Sequence, residues 1–491
     1  MKRRRIVSLL ALLSACTLVA GACGQKSGIH LSASGSSGGL GGIDEGTGGT
    51  GTGTGGDTSL GGTAGGTGTG GTGTATGGGG TSAVGTGGRS TGTGTGGTGT
   101  GGGGTGGGGT GGGGGGVSAA DTTGVSATEI KIGIHAPATG AGAPAASFQN
   151  YFDLYFKTIG PTINGRKVTV YFEDDGYNPS QARAACKKLV QEQHVFLLVG
   201  GGGTDQIVEC AKYADSVGVP YLAEGVTEAG LNTLKRYFAE SMSYKAQGVL
   251  LAQYVKAKSG KTKWAMIRGN TANFEDAHTG FVSAANAAGL TKVYDQAVPK
   301  DSDNQAMASA ATAFCSAPGG LPDKSDVAMY PLMSPKLFIA FALAAAQQQC
   351  FPRYAGIGIT LGLDVVAKAV CDSGAFKNGA TFFSPYQALD QADPAYKQAV
   401  ASHPDADDIA YALWAAEKLL GEQLRAAGKN INRQSFVDGI LAAKIFDVGT
   451  YPKVNYNNTR FGGTAVHVLQ ADCSVKGSGH YTTQSQNNSS F

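Results

Sequence analysis

The sequence has little charge and lacks several patterns that would indicate a particular function. Asp, Glu, Lys and Arg make up only 15% of its 491 residues, and the formal net charge is +3. It contains no basic run interleaved with aromatic residues, so nothing indicates a nucleic-acid-binding surface. After the first 23 residues, no apolar stretch approaches the roughly 20 residues that a transmembrane helix needs.

Motifs for catalysis and metal binding are missing from residues 117–491. This part of the sequence has no GxSxG, P-loop or HExxH motif, and His135, His194 and His278 lack an obvious paired nucleophile. Its cysteines form no CxxC pair and no Cys/His cluster with zinc spacing. We therefore expect neither an enzyme nor a protein with a cofactor or metal.

Glycine is the residue that is present in excess. Most of the 83 glycines lie between residues 38 and 116, where Thr and Ser separate them. Such a segment has almost no apolar side chains to bury and much conformational entropy to lose, so residues 24–126 are predicted to be a flexible linker. A coil of this length has a root-mean-square reach of roughly 50 Å. Residues 127–477 remain, enough for two lobes with their own cores.

The first 23 residues are typical of a targeting segment. Four basic residues, Lys2–Arg5, precede the apolar stretch Ile6–Val19, which is too short to span a bilayer. Ala20, Gly21 and Ala22 then lead to Cys23, as in the lipobox of bacterial lipoproteins. We predict that Cys23 carries a lipid that anchors the protein outside the cytoplasm. The alternative is Cys16, which has the better leucine position but a very short apolar stretch before it.

Six cysteines remain after the targeting segment. An even number in an exported chain indicates disulfides, although the spacing alone allows fifteen connectivities. They are Cys186, Cys210, Cys315, Cys350, Cys371 and Cys473.

The centre of the chain predicts a strand, a tight turn and a helix. Five apolar residues, Val195–Val199, are typical of a strand buried on both faces, and Gly200–Gly203 follow them. Thr204 is the expected N-cap of a helix over residues 205–217. A turn of small residues at an exposed helix N-terminus favours anionic groups.

Strands and helices alternate along the chain in two similar halves. We predict four strands before residue 242 and four between residues 263 and 357, each set following a βαβαβαβα order. This alternation predicts an α/β fold with two doubly wound, parallel-sheet lobes. Helices dominate residues 394–443, and the polar residues 478–491 are predicted to be a disordered tail.

Several segments resemble the type I periplasmic binding proteins of the leucine/isoleucine/valine-binding family. The resemblance lies in Glu129–Ile134 with Pro137–Gly140, Ile163–Val168, Val217–Leu222 and Gln247-Gly248. It implies two lobes joined by a three-strand hinge: residues 127–242 with 384–448, and residues 243–383 with 449–477. It also implies a monomer that closes on a small polar solute, an amino acid or related metabolite, and delivers it to an ABC permease. A ligand-sensing receptor subunit of the same fold is the alternative.

The resemblance also implies which residues contact the ligand. In the family, hydroxyl residues after the third and fourth strands of the first lobe hold an amino acid, and Thr204 and Thr227 match them. Where amino-acid binders place an acid on the second lobe, this sequence has Gly358, which puts an α-amino-acid ligand in doubt. Glu224 or Glu228 is the alternative partner for a ligand ammonium, although acids in loops are usually solvated. The expected ligand-contacting set is Thr139, Gly203, Thr204, Gly225, Thr227, Phe274 and Met333.

The same implied topology suggests a disulfide pairing. It places the helices after the second and third strands of each lobe side by side, which would join Cys186 to Cys210 and Cys315 to Cys350. The implied crossings leave Cys371 and Cys473 together in the second lobe. Each bridge then stays within one lobe.

Overall fold

The computed structural model describes residues 121–140, 145–223, 229–358, 362–442, 444–457 and 459–491. Cys16, Cys23, the targeting segment and residues 24–120 of the predicted linker lie outside the described residues. The described strands form two sheets, one for each lobe. Two mainly parallel sheets confirm the predicted α/β class.

The first sheet has the order β2-β3-β1-β4-β5-β6. Its neighbours are parallel except β2 and β3, which form a hairpin through Asn164 and Gly165, both at positive φ. The buried β4 residues have no exposed face, as the continuous apolar run predicts. Its strands are β1 (Glu129–Ala136), β2 (Thr162–Ile163), β3 (Arg166–Asp174), β4 (Leu197–Gly200), β5 (Tyr221–Ala223) and β6 (Tyr237–Ala239).

The second sheet has the order β13-β12-β11-β10-β9-β7-β8. Strands β7 to β11 are parallel, whereas β12 and β13 are antiparallel to their neighbours. Its strands are β7 (Lys263–Gly269), β8 (Thr291–Val298), β9 (Val327–Leu332), β10 (Arg353–Gly356), β11 (Ala380–Ser384), β12 (Val466–Asp472) and β13 (His480–Asn488).

Helices connect the parallel strands, and two of them begin with a polar cap residue followed by proline. Asn178 caps α3 with Pro179 in its first turn, and Ser334 and Pro335 do the same for α8. The helices are α1 (Ala145–Tyr151), α2 (Leu154–Thr158), α3 (Pro179–Gln191), α4 (Thr204–Ser216), α5 (Tyr244–Ala257), α6 (Ala272–Ala287), α7 (Asn304–Ser316), α8 (Pro335–Gln347), α9 (Asp364–Val370), α10 (Pro394–Ala399), α11 (Asp408–Ala426) and α12 (Arg433–Leu441).

Three disulfides join the cysteines in the predicted pairs. Cys186 of α3 is bonded to Cys210 of α4, with Cα atoms 5.9 Å apart. Cys315 is bonded to Cys350, and Cys371 to Cys473, with Cα separations of 5.8 and 5.2 Å. Each pair belongs to the elements of one sheet, so none of these bridges ties the two lobes together.

The chain crosses between the lobes three times, at 240–243, 385–393 and 463–465. A side chain at Gly463 would collide with the backbone of Ser241 and Met242, so the first and third crossings are in direct contact. The predicted return to the second lobe at residue 449 is too early, because Phe461 pairs with Ala239 at the edge of the first sheet. The return occurs only after Gly463.

The predicted disordered tail at 478–491 is wrong. Residues 480–488 form β13, which pairs with β12, and Tyr481 is fully buried. Phe491 packs edge-to-face on Tyr254 and parallel to Phe383. The polar residues of this segment are compatible with an edge strand because its other face is partly solvated, and Thr and Tyr favour extended backbone.

The folded part also begins before the predicted boundary at residue 127. Asp121 forms an ion pair with Arg433 of α12 at 2.7 Å. The same guanidinium donates hydrogen bonds to the backbone carbonyls of Val195 and Phe196, just before β4. Because these residues precede a parallel strand, the chain enters the first lobe at the amino end of the sheet.

Candidate ligand-binding cleft

The described strands β1, β3 and β4 of the first lobe are parallel, so their carboxyl ends lie on the same side of the sheet. Strand β1 lies between the other two. In the second lobe, β7 lies in the same way between β8 and β9. Ligands of open α/β sheets bind at such a position, outside the carboxyl ends of the strands. Residues that follow these strands in one lobe contact residues that follow them in the other. The carboxyl ends of the two sets of strands therefore face each other across a cleft.

Helix α4 begins at the first-lobe side of the cleft. Its N-cap is Gly203, in extended backbone, and Thr204 is its first residue, so the prediction that Thr204 is the N-cap is wrong. The reason is that Gly203 already has the extended conformation of a cap, which leaves Thr204 inside the first turn. The Thr204 hydroxyl is thereby free to serve another partner.

That partner lies on the other lobe. Asn273, fully buried in the first turn of α6, donates a hydrogen bond from Nδ2 to Thr204 Oγ1 at 3.0 Å. Asn273 Oδ1 in turn accepts a hydrogen bond from the Thr271 hydroxyl. Lys300, after β8, also forms an ion pair with Asp205 of α4. These contacts hold the two lobes together across the cleft.

Aromatic side chains lie at the start of α5 and α6 in the second lobe and beside Gly203 in the first. Tyr244 at the start of α5 and Phe274 at the start of α6 are stacked, with ring centroids 6.2 Å apart and an interplanar angle of 21°. From the first lobe, the Tyr177 ring lies 3.0 Å from where a Cβ on Gly203 would stand. Burial and the carboxylates of Asp205 and Asp175 raise the pKa of Tyr177 to about 12, so it is a neutral phenol at physiological pH.

Thr139 lies in the loop after β1 and is exposed. Its hydroxyl donates to Asp174 at 2.5 Å, and Asp174 also accepts from the amides of Ala138, Thr139 and Gly176. Burial opposes ionisation of Asp174, but these hydrogen bonds outweigh it and lower its pKa. Asp174 thus fixes the loop after β1 against the end of β3.

A buried network that the sequence did not reveal lies under the first-lobe side. His135 Nδ1 is 2.9 Å from Asp175 Oδ2, and its Nε2 is 2.8 Å from the Tyr221 hydroxyl. Asp175 also accepts from the Tyr177 amide at 2.9 Å, and Tyr177 has a positive φ of 56°. The network therefore connects the carboxyl ends of β1 and β3 with the first residue of β5, and it fixes the backbone at Tyr177.

The other predicted ligand residues have different positions. Phe274 is half-buried on the second-lobe side, and Met333 is buried in the core between β9 and α8. Gly358 follows β10 at φ 77°, where a Cβ would stand 3.2 Å from the Tyr244 hydroxyl. Gly225 and Thr227 lie outside the described residues.

Among the described residues, His135, Cys186 and Cys210 bring metal-ligand atoms within 4.8 Å of one another. Both cysteines are in a disulfide and both ring nitrogens of His135 have protein partners, so this group does not offer a metal site. In the described ranges, no helix is both long enough and apolar enough to cross a membrane.

Comparisons with known proteins agree with this architecture. A family model described as periplasmic binding protein matches residues 129–478. A search of curated protein sequences found no relative.

Several solved structures share the fold at low sequence identity. A solute-binding protein from Rhodopseudomonas palustris, in complex with 3,4-dihydroxybenzoic acid, is 19% identical over 72% of this chain and 96% of its own, with a TM-score of 0.58. The isoleucine-bound branched-chain amino acid transporter protein of Streptococcus pneumoniae is 16% identical over 72% and 100% of the two chains, with a TM-score of 0.57. A fatty acid ABC transporter protein from Thermomonospora curvata is 17% identical over 75% and 95%, with a TM-score of 0.61. With two doubly wound lobes, three crossings and the matched family model, this chain belongs to the periplasmic binding protein family.

Proposed function

We propose that this protein is an extracytoplasmic substrate-binding lipoprotein that captures a small polar solute, an amino acid or related metabolite, by lobe closure. It hands the solute to an ABC permease and acts as a monomer anchored through a lipid on Cys23. The observation that carries the proposal is the cross-cleft contact of Thr204 with Asn273, because it joins the ends of two sheets in a chain of this family.

The proposed ligand carries a carboxylate. Dihydroxybenzoic acid, isoleucine and fatty acids, the solutes of the three similar proteins, all have one. In this chain a carboxylate would lie against Thr204 and the N-terminus of α4, with Gly225 and Thr227 contributing from the loop after β5. Thr139, Gly203, Phe274 and Met333 complete the proposed set, Met333 as packing behind the site.

A ligand screen with a structural readout tests this function. Small carboxylates would be screened by thermal shift, where a true ligand at 100 times its Kd adds about 2.7 kcal/mol to the free energy of unfolding. Small-angle scattering should then show a more compact protein with ligand. Cells that lack the gene should lose uptake of that ligand. Normal uptake with altered ligand-dependent signalling would identify a sensor instead.

A further inference from the structure

A second contact between the lobes joins the first residues of two helices. Asp364 begins α9 in the second lobe, and Asp408 begins α11 in the first. The Asp364 amide donates a hydrogen bond to Asp408 Oδ2 at 2.7 Å. Leu363, the residue before α9, has no side-chain acceptor for the amides that begin this helix, so the partner comes from the other lobe.

This contact lies on the cleft side of both sheets. Helix α9 follows the carboxyl end of β10. In the first lobe, Ser147 of α1, which follows the carboxyl end of β1, donates a hydrogen bond to Asp407 at 2.6 Å, next to Asp408. When the lobes part, Asp408 therefore loses the Asp364 amide and gains water.

Three carboxyl groups meet at this contact, and the most buried of them is Asp408. Asp407 accepts three hydrogen bonds, and Asp364 accepts one from the Tyr481 amide. Among the described residues, none of the three acids forms an ion pair. Burial, with the carboxylates of Asp364 and Asp407, raises the pKa of Asp408 well above its usual range.

The phenols around these acids keep a constant charge. Tyr481 of β13 and Tyr396 of α10 face Asp408, and burial together with the nearby carboxylates raises the pKa of both. The same causes raise the pKa of Tyr151 in α1 to about 12. All three are neutral at physiological pH.

The nearest positive groups act on the partner of Asp408. Lys368 and His480, both in the second lobe, favour the ionised form of Asp364. His480 is half-exposed and lies 3.9 Å from Asp472, so it can change charge as well. A test must therefore separate His480 from Asp408.

We propose that closure of the two lobes takes up a proton on Asp408, so that acid favours the closed form and a rising pH favours the open form. With the lobes in contact, the buried carboxyl group is neutral. With the lobes apart, it is solvated and ionised at neutral pH. The inference rests on the lobe closure of the proposed function, but not on the identity of the solute or on its delivery to a permease.

The direction of the effect follows from proton linkage. Asp408 has a higher pKa in the closed form, so the closed form is favoured most at a pH below the pKa of this group in the open form. That advantage is lost as the pH rises toward its pKa in the closed form. Between the two values, the ratio of closed to open protein should fall by up to about tenfold for each pH unit.

The distance between the lobes of the ligand-free protein tests the inference. Spin labels would be attached to ketone-bearing residues encoded at Lys187 of α3 and Lys292 of β8, two exposed positions, so that the cysteines stay untouched. Double electron–electron resonance on the detergent-solubilised full chain then reports the closed fraction from about pH 4 to about pH 8. We expect this fraction to fall as the pH rises.

Three variants assign the effect to its residue. Asp408→Asn should stay closed throughout, because its amide is neutral and keeps an oxygen for the Asp364 amide. Asp364→Asn should reduce the pH dependence without abolishing it, because one carboxylate beside Asp408 is removed. Asp438→Asn is the matched control: Asp438 is exposed on α12 and accepts from Gln434 of the same helix, so we expect the parent profile.

Two results would overturn the inference. One is an interlobe distance in the parent that does not change with pH. The other is a pH dependence that persists unchanged in Asp408→Asn, which would assign it to another group such as His480. Solute binding and uptake are measured separately, so either result leaves the proposed function standing.

Discussion

At the scale of single residues, two buried tyrosines on central strands differ in what their hydroxyls contact. The Tyr221 hydroxyl lies 2.8 Å from His135 Nε2, whereas the Tyr330 hydroxyl has no hydrogen-bond partner within the described residues. Burial, with a contribution from Tyr244, raises the pKa of Tyr330 well above its usual range. The same substitution should therefore have different effects at the two positions.

We expect Tyr221→Phe to lower the free energy of unfolding by about 1–3 kcal/mol, because it leaves His135 without one partner in a buried site. Tyr330→Phe should change it by less than about 1 kcal/mol, or raise it, because no hydrogen bond is lost. Urea unfolding of the two variants makes the comparison. Equal destabilisation would show that the hydrogen bond between Tyr221 and His135 contributes no stability.

Thr227 is the second residue whose hydroxyl the family resemblance assigns to the ligand. Thr227→Ala should weaken binding of the true ligand by about 1–3 kcal/mol if a buried polar group loses its partner. Thr227→Ser, which keeps the hydroxyl, is the control. Unchanged affinity of the alanine variant in calorimetry would remove Thr227 from the proposed site.

Sequence reasoning found part of the cleft and missed the rest for identifiable reasons. Thr204 and Phe274 follow predicted strands, so their placement at the sheet edges could be predicted. Tyr177 reaches the start of α4 through a left-handed backbone conformation, which apolar periodicity does not reveal. His135 contacts residues 40 and 86 positions away, and no local pattern indicates such a pairing.

At the scale of elements, one helix is capped by a residue from the other lobe. Asp408, at the start of α11, accepts a hydrogen bond from the Asp364 amide at the start of α9 at 2.7 Å. Asp364 in turn accepts from the Tyr481 amide of β13. Burial raises the pKa of Asp408 well above its usual range, and the carboxylates of Asp364 and Asp407 add to the effect.

This raised pKa predicts a dependence of stability on pH. The stability that Asp408 contributes is complete at a pH below the pKa of this group in the unfolded chain, which is near 3.8. It is lost as the pH rises through the higher pKa of the group in the folded protein. Asp408→Asn keeps an acceptor oxygen and removes the charge. Its unfolding free energy should match the parent near pH 3.8 and exceed it increasingly toward neutral pH, by about 1.4 kcal/mol per unit of raised pKa.

Asp174→Asn is the control of opposite sign. At Asp174 the hydrogen bonds outweigh burial and lower the pKa of the carboxyl group. The stability that Asp174 contributes is therefore present at a pH above its pKa in the unfolded chain, and it is lost as the pH falls through its lower pKa in the folded protein. This variant should be less stable than the parent at neutral pH, and the difference should shrink in acid. If the difference in unfolding free energy from the parent changed with pH in the same direction for both variants, the opposite pKa shifts assigned to Asp408 and Asp174 would be contradicted.

The sequence indicated most elements but not the last one. Apolar runs and helix caps mark β1, β4 and α3 locally, and the two halves repeat the same order. β13 contains no apolar run. Backbone pairing with β12 holds this strand in the sheet, and Tyr481 is its one fully buried residue.

At the scale of the whole molecule, the anchoring prediction can be tested directly. Cys23→Ser should release the protein from the membrane fraction, because we propose that Cys23 carries the lipid. Cys16→Ser should leave it bound, and fractionation followed by immunoblotting distinguishes the two. Release by Cys16→Ser with retention of Cys23→Ser would assign the lipid to Cys16.

The contact of Asp121 with Arg433 determines which lobe receives a force that acts on the preceding chain. Arg433 holds Asp121 and the carbonyls of Val195 and Phe196, at the edge of the first sheet opposite the cleft. Any pull that arrives along the chain from residue 120 is borne by the first lobe, and no described contact passes it directly to the second. We therefore expect an anchor at Cys23, as proposed above, to hold the protein through the first lobe rather than the second.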